Sequence, residues 1–226
     1  MEKKISVIIP AYNEEKTIAS VVLAAKNARR VSEIVVVNDG STDNTSEEAR
    51  NSGAKIIEIE KRQGKGRAMD VGVKKAENSI ICFVDADLNG LTPEMIQKIS
   101  LPVLDGAYDM YVGIRGRKTY LLNKILRFAP LLAGERAVTR EVWEKIPDKF
   151  KKNFQIEIAM NYFAKQNGKK MGFEIIPGLS QTIKEKKYGF WIGFGKRIAM
   201  SWDIFRVSFD LYVAHSLKKF FSKKNS

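Results

Sequence analysis

Four short, largely apolar runs in the first half of the chain constrain its fold more than any other feature. They cover residues 5–9, 34–37, 56–59 and 80–84, and Ile and Val dominate them. Residues 15–28, between the first two runs, instead place apolar side chains on one face at helical spacing. Apolar strands that alternate with helices are typical of parallel strands buried on both faces. The sequence therefore predicts an α/β fold in which helices flank a sheet.

The size and composition of the chain fit one domain with a short appendage. Of its 226 residues, 44% are hydrophobic and 29% are charged, which excludes a disordered chain. The single cysteine, Cys82, excludes an intramolecular disulfide and favours a reducing compartment. The run at residues 5–9 is too short for a signal peptide or a membrane span. These features predict a cytoplasmic protein.

After about residue 92 the alternation of strands and helices becomes less regular. Apolar spacing predicts helices over residues 93–104, 118–132, 140–146 and 156–166, and a short strand over residues 110–113. No repeat and no low-complexity linker separates this part of the sequence from the first part. It is therefore expected to complete the same domain.

Polar loops follow the four predicted strands of the first half. They cover residues 10–15, 38–41, 61–67 and 85–87. Ligands of open parallel sheets bind beyond the carboxyl ends of the strands, so these loops form the candidate site for a phosphorylated ligand. The first loop lacks the Gly-x-Gly-x-x-Gly turn of dinucleotide-binding proteins, and the chain has no Gly-x-x-x-x-Gly-Lys-Ser/Thr sequence. A P-loop ATPase is therefore not favoured.

The last of these loops, Asp-Ala-Asp at residues 85–87, carries the clearest chemical signal. In an extended chain, side chains two residues apart point to the same side, so the carboxylates of Asp85 and Asp87 would repel each other without a nearby cation. Hard oxygen ligands suit Mg²⁺ or Mn²⁺, and such an ion can neutralise a leaving diphosphate. The pair predicts a metal site at Asp85 and Asp87. A pair of turn or helix-capping aspartates is the structural alternative.

The order of these loops closely resembles that of family 2 glycosyltransferases. The matching segments are Val-Ile-Ile-Pro-Ala-Tyr-Asn-Glu-Glu at residues 7–15, Val-Val-Val-Asn-Asp-Gly-Ser-Thr-Asp at residues 35–43, Gly-Lys-Gly-Arg-Ala at residues 64–68 and Phe-Val-Asp-Ala-Asp at residues 83–87. The resemblance implies the GT-A fold, a Rossmann-like mixed sheet with flanking helices, over residues 1–187. It also implies inverting transfer of a sugar from a nucleotide-diphospho-sugar with Mg²⁺ or Mn²⁺.

The resemblance assigns roles to individual residues of these loops. The implied nucleotide-sugar contacts are Pro10, Ala11, Tyr12, Glu14, Asp39, Lys65, Asp85, Ala86 and Asp87. Tyr12 would lie near the base, Glu14 near the ribose, and Asp39 would hydrogen-bond the base. Lys65 would lie near the diphosphate, Asp85 would face the ribose and the metal, and Asp87 would bind the metal directly. For Asp39, a residue that only stabilises an Asx turn is the structural alternative.

The second half resembles the acceptor-side half of polyprenyl-phosphate sugar synthases, and glucosyl-3-phosphoglycerate synthases have a similar arrangement. The matching segments are Leu-Ala-Gly-Glu-Arg-Ala-Val at residues 132–138, expected to form a turn, and Asn-Phe-Gln-Ile-Glu-Ile at residues 153–158. The lipid-linked enzymes usually carry an Arg-x-x-Gly-x-Ser-Lys-like motif later in the chain. Residues 180–189 depart from that motif, although their lysines could take the phosphate-binding part.

The acceptor decides which side chains the transfer needs. A hydroxyl acceptor needs a carboxylate base, for which Glu157 is the candidate. A phosphate acceptor is already ionised and needs cations instead. The candidates are Arg115, Arg117, Arg127, Arg136 and Lys184. The predicted catalytic residues are thus Asp87, Glu157 and Arg136. For Arg136, an ion pair with Glu135 or Glu157 is the structural alternative.

The C-terminal residues 188–226 form a separate, basic extension. The chain has a net charge of +13, and residues 182–226 contain ten Lys and Arg against three Asp and Glu. Residues 196–221 are predicted to form an amphipathic helix. Its apolar stripe consists of Ile198, Trp202, Phe205, Phe209, Val213, Leu217 and Phe220. Such a helix can lie on an anionic membrane. Packing on the catalytic domain or on a second copy in a homo-oligomer is the alternative.

The leading hypothesis is transfer of a sugar to a polyprenyl phosphate by a protein bound peripherally to the inner face of the cell membrane. The first alternative is the same transfer to a soluble acceptor such as phosphoglycerate or a sugar hydroxyl. A non-catalytic basic protein that binds nucleic acid is disfavoured, because no nucleic-acid motif is present and the Asp-Ala-Asp loop would have no role. A nucleotidyltransferase is disfavoured because its Gly-rich, Arg-containing first loop is missing from residues 10–15.

Overall fold

The computed structural model describes residues 3–115, 134–151 and 155–181, together with Leu211. Strands and helices alternate along the first half, as the sequence predicts. In chain order the elements are β1 (Ile5–Ala11), α1 (Ile18–Lys26), β2 (Val31–Asp39), α2 (Thr45–Asn51), β3 (Lys55–Ile59), α3 (Lys65–Lys75), β4 (Ile80–Phe83), β5 (Leu88–Asn89), α4 (Pro93–Leu104), β6 (Met110–Arg115), β7 (Arg136–Thr139), α5 (Arg140–Glu144), a 3₁₀ turn (Asp148–Phe150), α6 (Gln155–Gln166), β8 (Met171–Ile176) and β9 (Ser180–Gln181).

Within this part of the chain, the main sheet has seven strands in the order β3-β2-β1-β4-β7-β6-β8. Strands β1 to β4 are parallel, so their carboxyl ends meet at one edge of the sheet. Strand β7 runs antiparallel to both β4 and β6, and Arg136 at its start pairs with Phe83 at the end of β4. The start of β7 and the end of β6 therefore lie at the same edge as the carboxyl ends of the parallel strands.

Apolar side chains of the strands alternate between two buried clusters, one on each face of the sheet. On β1, Val7 and Ile9 join the cluster that includes α1 and α4, whereas Ile8 joins the cluster that includes α3, α5 and α6. Burial on both faces explains why the sequence of this strand is apolar except at Ser6, whose hydroxyl donates to Glu33 Oε2 at 2.6 Å. Leu211 is fully buried in the second cluster, so the chain contacts the core of the sheet domain at this residue.

Arg140 fixes the C-terminal end of α3 and thereby the position of the whole helix. Its guanidinium donates hydrogen bonds to the main-chain carbonyl oxygens of Val73, Ala76 and Asn78 at 2.8, 2.7 and 2.9 Å. Carbonyl groups at the end of a helix have no partner within the helix, and a cation there also interacts favourably with the helix dipole. This contact holds α3 against the sheet and, with it, Lys65 at the start of the helix.

The structure confirms the predicted α/β sheet with flanking helices and corrects several details. Helix α1 begins at Ile18 rather than at residue 15. The residues before it form a turn in which the N–H groups of Thr17 and Ile18 donate to the main-chain oxygen of Glu14. The expected turn at residues 132–138 is wrong for its second part, since Arg136–Thr139 form strand β7 between β4 and β6. Strand β8 has no counterpart among the sequence predictions.

Two predicted helices, over residues 118–132 and 196–221, lie outside the described residues apart from Leu211. The helices that the structure does describe are all too short or too polar to cross a membrane. The division of the chain at residue 187 also falls within the part that is not described.

Candidate active site

The loops after β1 and β2 are joined by hydrogen bonds at the carboxyl edge of the sheet. The backbone N–H of Asn13 donates to Ser41 Oγ at 2.9 Å, and the N–H of Thr42 donates to Asn13 Oδ1 at 2.9 Å. The N–H of Glu14 donates to Thr45 Oγ1 at 2.8 Å. Asn13 has a φ of 54°, a left-handed conformation that Asn tolerates better than most residues. The two loops therefore form one surface rather than two independent segments.

The Asp-Ala-Asp loop is fixed to the same surface through Thr17. Its hydroxyl donates a hydrogen bond to the main-chain carbonyl of Ala86 at 2.7 Å, and both groups are buried. Asp85 and Asp87, on either side of Ala86, are half-buried. Thr17 carries no signal of this role in the sequence, because a threonine at the start of a helix is most often a cap.

Asp39 holds the loop after β3 in place. Its two carboxylate oxygens accept hydrogen bonds from the backbone N–H groups of Gln63 and Gly64, each at 2.7 Å. The side chain that accepts a hydrogen bond from the backbone of its own loop is that of Asn38, whose Oδ1 accepts the N–H of Ser41 at 2.9 Å. Gly64 has a φ of 95°, which favours glycine, and α3 begins at the next residue. Asp39 thus determines where Lys65 lies; its contact with a base stays a prediction.

Tyr12 lies at the rim of this surface. It is half-buried, and the guanidinium carbon of Arg62 lies 4.0 Å from the centre of its ring, a cation–π contact. Pro10 and Ala11 end β1 beside Val37 and Asn38 of β2. The structure therefore brings all the predicted residues of the first two loops to one edge. Arg62, which sequence reasoning missed, joins them there.

Lys65 forms the centre of the site. Its Nζ lies 2.7 Å from Asp85 Oδ1 and 2.8 Å from Glu157 Oε1. The three side chains are 15%, 12% and 9% exposed. Burial alone lowers the pKa of Lys65, but the two carboxylates outweigh it and raise that pKa above its usual value. A charged ammonium group therefore links the Asp-Ala-Asp loop to helix α6.

Arg115 and Glu135 approach Asp85 from the other side. Arg115 Nη2 lies 3.7 Å from Asp85 Oδ2, and its Nε lies 3.3 Å from Glu135 Oε2. Glu135 is fully buried. Burial and the negative charge of Asp85 raise the pKa of Glu135 to about 7, although Arg115 and Lys65 oppose that rise. The structural alternative for Arg136, an ion pair with Glu135 or Glu157, also places a cation beside these carboxylates, and both of them act on the pKa of Arg136.

Gly134 packs directly against Asp85. A Cβ atom at this position would lie 2.6 Å from Cγ and from Oδ1 of Asp85, and closer still to Oδ2. Real Cβ contacts essentially never come this near, so any other residue would displace the carboxylate. In the sequence, Gly134 stands out only as part of the segment at residues 132–138. Its close approach to Asp85 follows from the pairing of β7 with β4, which the local sequence does not reveal.

Arg136 lies beneath the site rather than within its open part. It is fully buried, and its Nη1 lies 3.3 Å from both the main-chain oxygen of Glu157 and Oδ1 of Asn161, its hydrogen-bond acceptors on α6. Burial lowers the pKa of Arg136, while Glu157 and other nearby carboxylates act in the opposite direction. These contacts hold α6 in position. Because the guanidinium of Arg136 is buried, the predicted contact of Arg136 with an acceptor phosphate is disfavoured.

The remaining acceptor candidates, Arg117, Arg127 and Lys184, lie outside the described residues. Arg115 is therefore the predicted acceptor cation that the structure brings to the site.

The carboxylates at the end of β4 fit a divalent ion. Among the residues that the structure describes, no three His, Cys, Asp or Glu side chains are grouped so as to hold a metal on their own. Mg²⁺ is commonly bound through one or two carboxylates, with substrate phosphates completing its coordination. Asp85 and Asp87 provide such a pair of oxygen donors after β4. When bound there, the ion would neutralise negative charge on a diphosphate.

The fold and the edge loops together define an α/β protein that gathers an acidic pair, a lysine and the polar loops after β1 to β3 at the carboxyl edge of its sheet. The chain belongs to glycosyl transferase family 2, whose sequence model matches residues 6–157. The matched region begins in β1 and ends at Glu157, so it contains every predicted site residue that the structure describes. The fold is accordingly the predicted GT-A fold.

Several characterised proteins are similar to this chain. Glucosyl-3-phosphoglycerate synthase of Mycolicibacterium smegmatis is 31% identical over 195 residues, which cover 70% of this chain and 63% of that protein. The 4,4'-diaponeurosporenoate glycosyltransferase of Staphylococcus aureus is 35% identical over 102 residues, 43% of this chain and 27% of that protein. The chain thus spans less than two thirds of the length of these relatives.

Solved structures of glucosyl-3-phosphoglycerate synthase from Mycobacterium tuberculosis share the fold. The structure in complex with Mn²⁺, uridine-diphosphate-glucose and phosphoglyceric acid has a TM-score of 0.68 and 27% identity, covering 80% of this chain and 72% of that chain. Another structure of the same enzyme is a complex with Mg²⁺ and uridine diphosphate (UDP), with a TM-score of 0.68 and 27% identity over 80% of this chain and 72% of that chain.

Proposed function

We propose that this chain transfers a sugar from a nucleotide-diphospho-sugar to a hydroxyl group of a small, phosphorylated acceptor, with Mg²⁺ or Mn²⁺ at Asp85 and Asp87. The observation that carries the proposal is the position of Lys65, which joins the acidic pair to Glu157 at the carboxyl edge of the sheet. Family membership and the ligands of the mycobacterial enzyme support the same conclusion.

The donor side of the site is formed by the loops after β1, β2 and β3. The surface that includes Tyr12 and Glu14 accepts the nucleoside, and Asp39 holds the neighbouring loop so that Lys65 begins α3 beside Asp85. The ammonium group of Lys65 is then close enough to the Asp-Ala-Asp loop to bind the diphosphate as its charge develops.

The acceptor side is formed by β6 and α6. A phosphorylated acceptor that reacts through a hydroxyl needs both a cation and a base, and Arg115 and Glu157 both contact the central cluster. Arg115 binds the phosphate group of the acceptor. Glu157 takes the proton from the attacking hydroxyl, which approaches in line, opposite the leaving diphosphate. An acceptor that reacts through its phosphate group has no hydroxyl proton to remove, and Glu157 would then have no role as a base.

Transfer to a polyprenyl phosphate on the inner face of the membrane is the second candidate. The specific observation in its favour is the excess of positive charge in residues 182–226 and the aromatic stripe of that segment. Burial of Leu211 in the domain core instead favours an extension that packs on the catalytic domain, at least at that residue. The soluble acceptor is therefore the proposal that the described residues support better.

Full-length protein incubated with UDP-glucose, Mn²⁺ and 3-phosphoglycerate tests the proposal through release of UDP and the mass of the product. Parallel reactions contain a polyprenyl phosphate in anionic vesicles. Product from the soluble acceptor supports the proposal, whereas product from the vesicles alone supports the second candidate. Failure of UDP with Mn²⁺ to bind, measured by calorimetry, contradicts both.

A pair of matched variants tests the metal assignment. Asp87→Asn removes a charge from the acidic pair and should abolish the increase in melting temperature that Mn²⁺ and UDP produce together. Asp105→Asn, in an exposed residue at the end of α4, makes the same chemical change away from the site and should leave that increase intact. Equal behaviour of the two variants contradicts a metal site at Asp87.

A further inference from the structure

A carboxylate and a guanidinium are buried together on the acceptor side of the site without a full set of hydrogen bonds. Glu135 is fully buried, and neither of its carboxylate oxygens has a hydrogen-bond partner. Nη1 of Arg115 is also buried without a hydrogen-bond partner. Buried polar groups are nearly always hydrogen-bonded, so the missing hydrogen-bond partners of this pair call for an explanation.

The backbone keeps Glu135 beside Arg115. The N–H of Gly113 on β6 donates to the main-chain oxygen of Glu135 at 2.9 Å, just before β7 pairs with β6. Arg115 ends β6 two residues later. The closest approach between the two side chains is the 3.3 Å between Arg115 Nε and Glu135 Oε2. The carboxylate therefore lies on the Nε edge of the guanidinium.

The two carboxylate oxygens of Asp85 contact cations on opposite sides of the site, one on the donor side and one on the acceptor side. Lys65, at the start of α3, contacts Oδ1, whereas Arg115, at the end of β6, contacts Oδ2. In the sheet, β6 lies beyond β4 and β7, away from the β1 and β2 loops that the nucleotide would occupy. We therefore assign an anion bound by Arg115 to the acceptor rather than to the donor.

We propose that Glu135 is a positioning residue for acceptor binding: its buried carboxylate holds the Nε edge of Arg115, so that the guanidinium is oriented to bind an anionic oxygen of the acceptor. This inference rests on the proposed function. A guanidinium held along one edge loses less freedom when its other N–H groups bind an oxyanion. Glu135 itself touches neither substrate.

Binding measurements on wild type, Glu135→Gln, Arg115→Met and the double variant test the proposal. The probes are 3-phosphoglycerate and inorganic phosphate for the acceptor side and UDP with Mn²⁺ for the donor side. Glutamine keeps the shape of Glu135 and removes its charge. We expect Glu135→Gln to weaken 3-phosphoglycerate binding by about tenfold, because Arg115 is no longer held along its Nε edge and forms one charge-assisted hydrogen bond fewer with the probe. UDP affinity should change by less than about twofold.

The double variant separates positioning from a general structural effect. If Glu135 acts through Arg115, Glu135→Gln causes no further loss of affinity when Arg115 is already Met. Arg115→Lys, which keeps a charge but not the Nε edge, should also lose most of the acceptor affinity. The melting temperature of each variant without ligand verifies folding.

The outcomes distinguish this proposal from the proposed function. Wild type that does not bind UDP with Mn²⁺ contradicts the proposed function. Wild type that binds UDP but neither anionic probe overturns the role of Glu135. So does an unchanged acceptor affinity in Glu135→Gln, or an additive loss in the double variant.

Discussion

Replacement of Lys65 by Met should change metal binding and nucleotide binding in opposite directions. The ammonium group now compensates Asp85 at 2.7 Å and Glu157 at 2.8 Å. Methionine keeps much of the apolar stem and removes the charge. A divalent ion without nucleotide must compete with this ammonium group for Asp85, so the variant should bind Mn²⁺ alone more tightly. UDP, in contrast, loses a cation near its diphosphate and should bind more weakly.

The distances set the size of both effects. A pair of unit charges 2.7 Å apart interacts by about 6 kcal/mol at an effective dielectric constant of about 20, which is an upper bound on the competition. Arg115 stays near Asp85 at 3.7 Å, and desolvation of the carboxylate offsets much of the gain. We therefore expect about 1–2 kcal/mol, so that Mn²⁺ binds about 5- to 30-fold more tightly. UDP with saturating Mn²⁺ should bind at least about tenfold more weakly, because a charge-assisted hydrogen bond is lost.

Calorimetric titration of wild type and the variant with Mn²⁺ alone, and then with UDP at saturating Mn²⁺, measures both affinities. Lys75→Met is the matched control, since it removes the same charge from an exposed position of the same helix. A variant that had merely lost its fold would bind both ligands more weakly. Unchanged or weaker Mn²⁺ binding by Lys65→Met in a folded protein refutes the competition at Asp85, and unchanged UDP binding refutes the contact with the diphosphate.

Three further substitutions have expected outcomes. Gly134→Ala should displace Asp85 and abolish the Mn²⁺-dependent binding of UDP, with a loss of about 1–3 kcal/mol of stability in urea denaturation; unchanged UDP binding contradicts the close contact. Arg140→Met should lower the free energy of unfolding by about 2–4 kcal/mol, because three carbonyl groups in the last turn of α3 and the segment that follows it lose a charged donor; a change below about 1 kcal/mol contradicts that role. Burial raises the pKa of Glu135 from 4.5 to about 7, so the folded state binds this proton more tightly than the unfolded state does. The free energy of unfolding should therefore fall as pH rises from about 4.5 to 7, by at most about 3 kcal/mol. Glu135→Gln should remove that part of the pH dependence of urea denaturation.

The donor side of the site could be predicted because its signals are local. Each apolar run is followed directly by its polar loop, and the carboxyl ends of parallel strands meet at one edge. Asp39, Lys65 and Asp85 are therefore brought together by strand order alone. The sequence did not predict that Asp39 binds the backbone of the loop at residues 61–67, because this contact depends on the path of a loop rather than on a repeating pattern.

The acceptor side could be predicted only in part, because it depends on pairing between distant strands. Arg115 and Glu135 were recognised as charged residues, but nothing local shows that β7 enters the sheet between β4 and β6. That antiparallel insertion places Gly134 against Asp85 and Glu135 against Arg115. It also buries Arg136, whose sequence context suggested an open turn.

This difference between the two sides has a consequence for specificity. Asp85 is the residue that both sides share, with one oxygen toward Lys65 and the other toward Arg115. Changes in β6 or β7 can alter the acceptor cation without moving the β1 to β3 loops, since those strands do not pair with either element. Changes at Asp85 or Gly134 must instead affect donor and acceptor together. We therefore expect substitutions at Arg115 and Glu135 to alter acceptor binding alone, and substitutions of the acidic pair to alter the binding of the diphosphate as well.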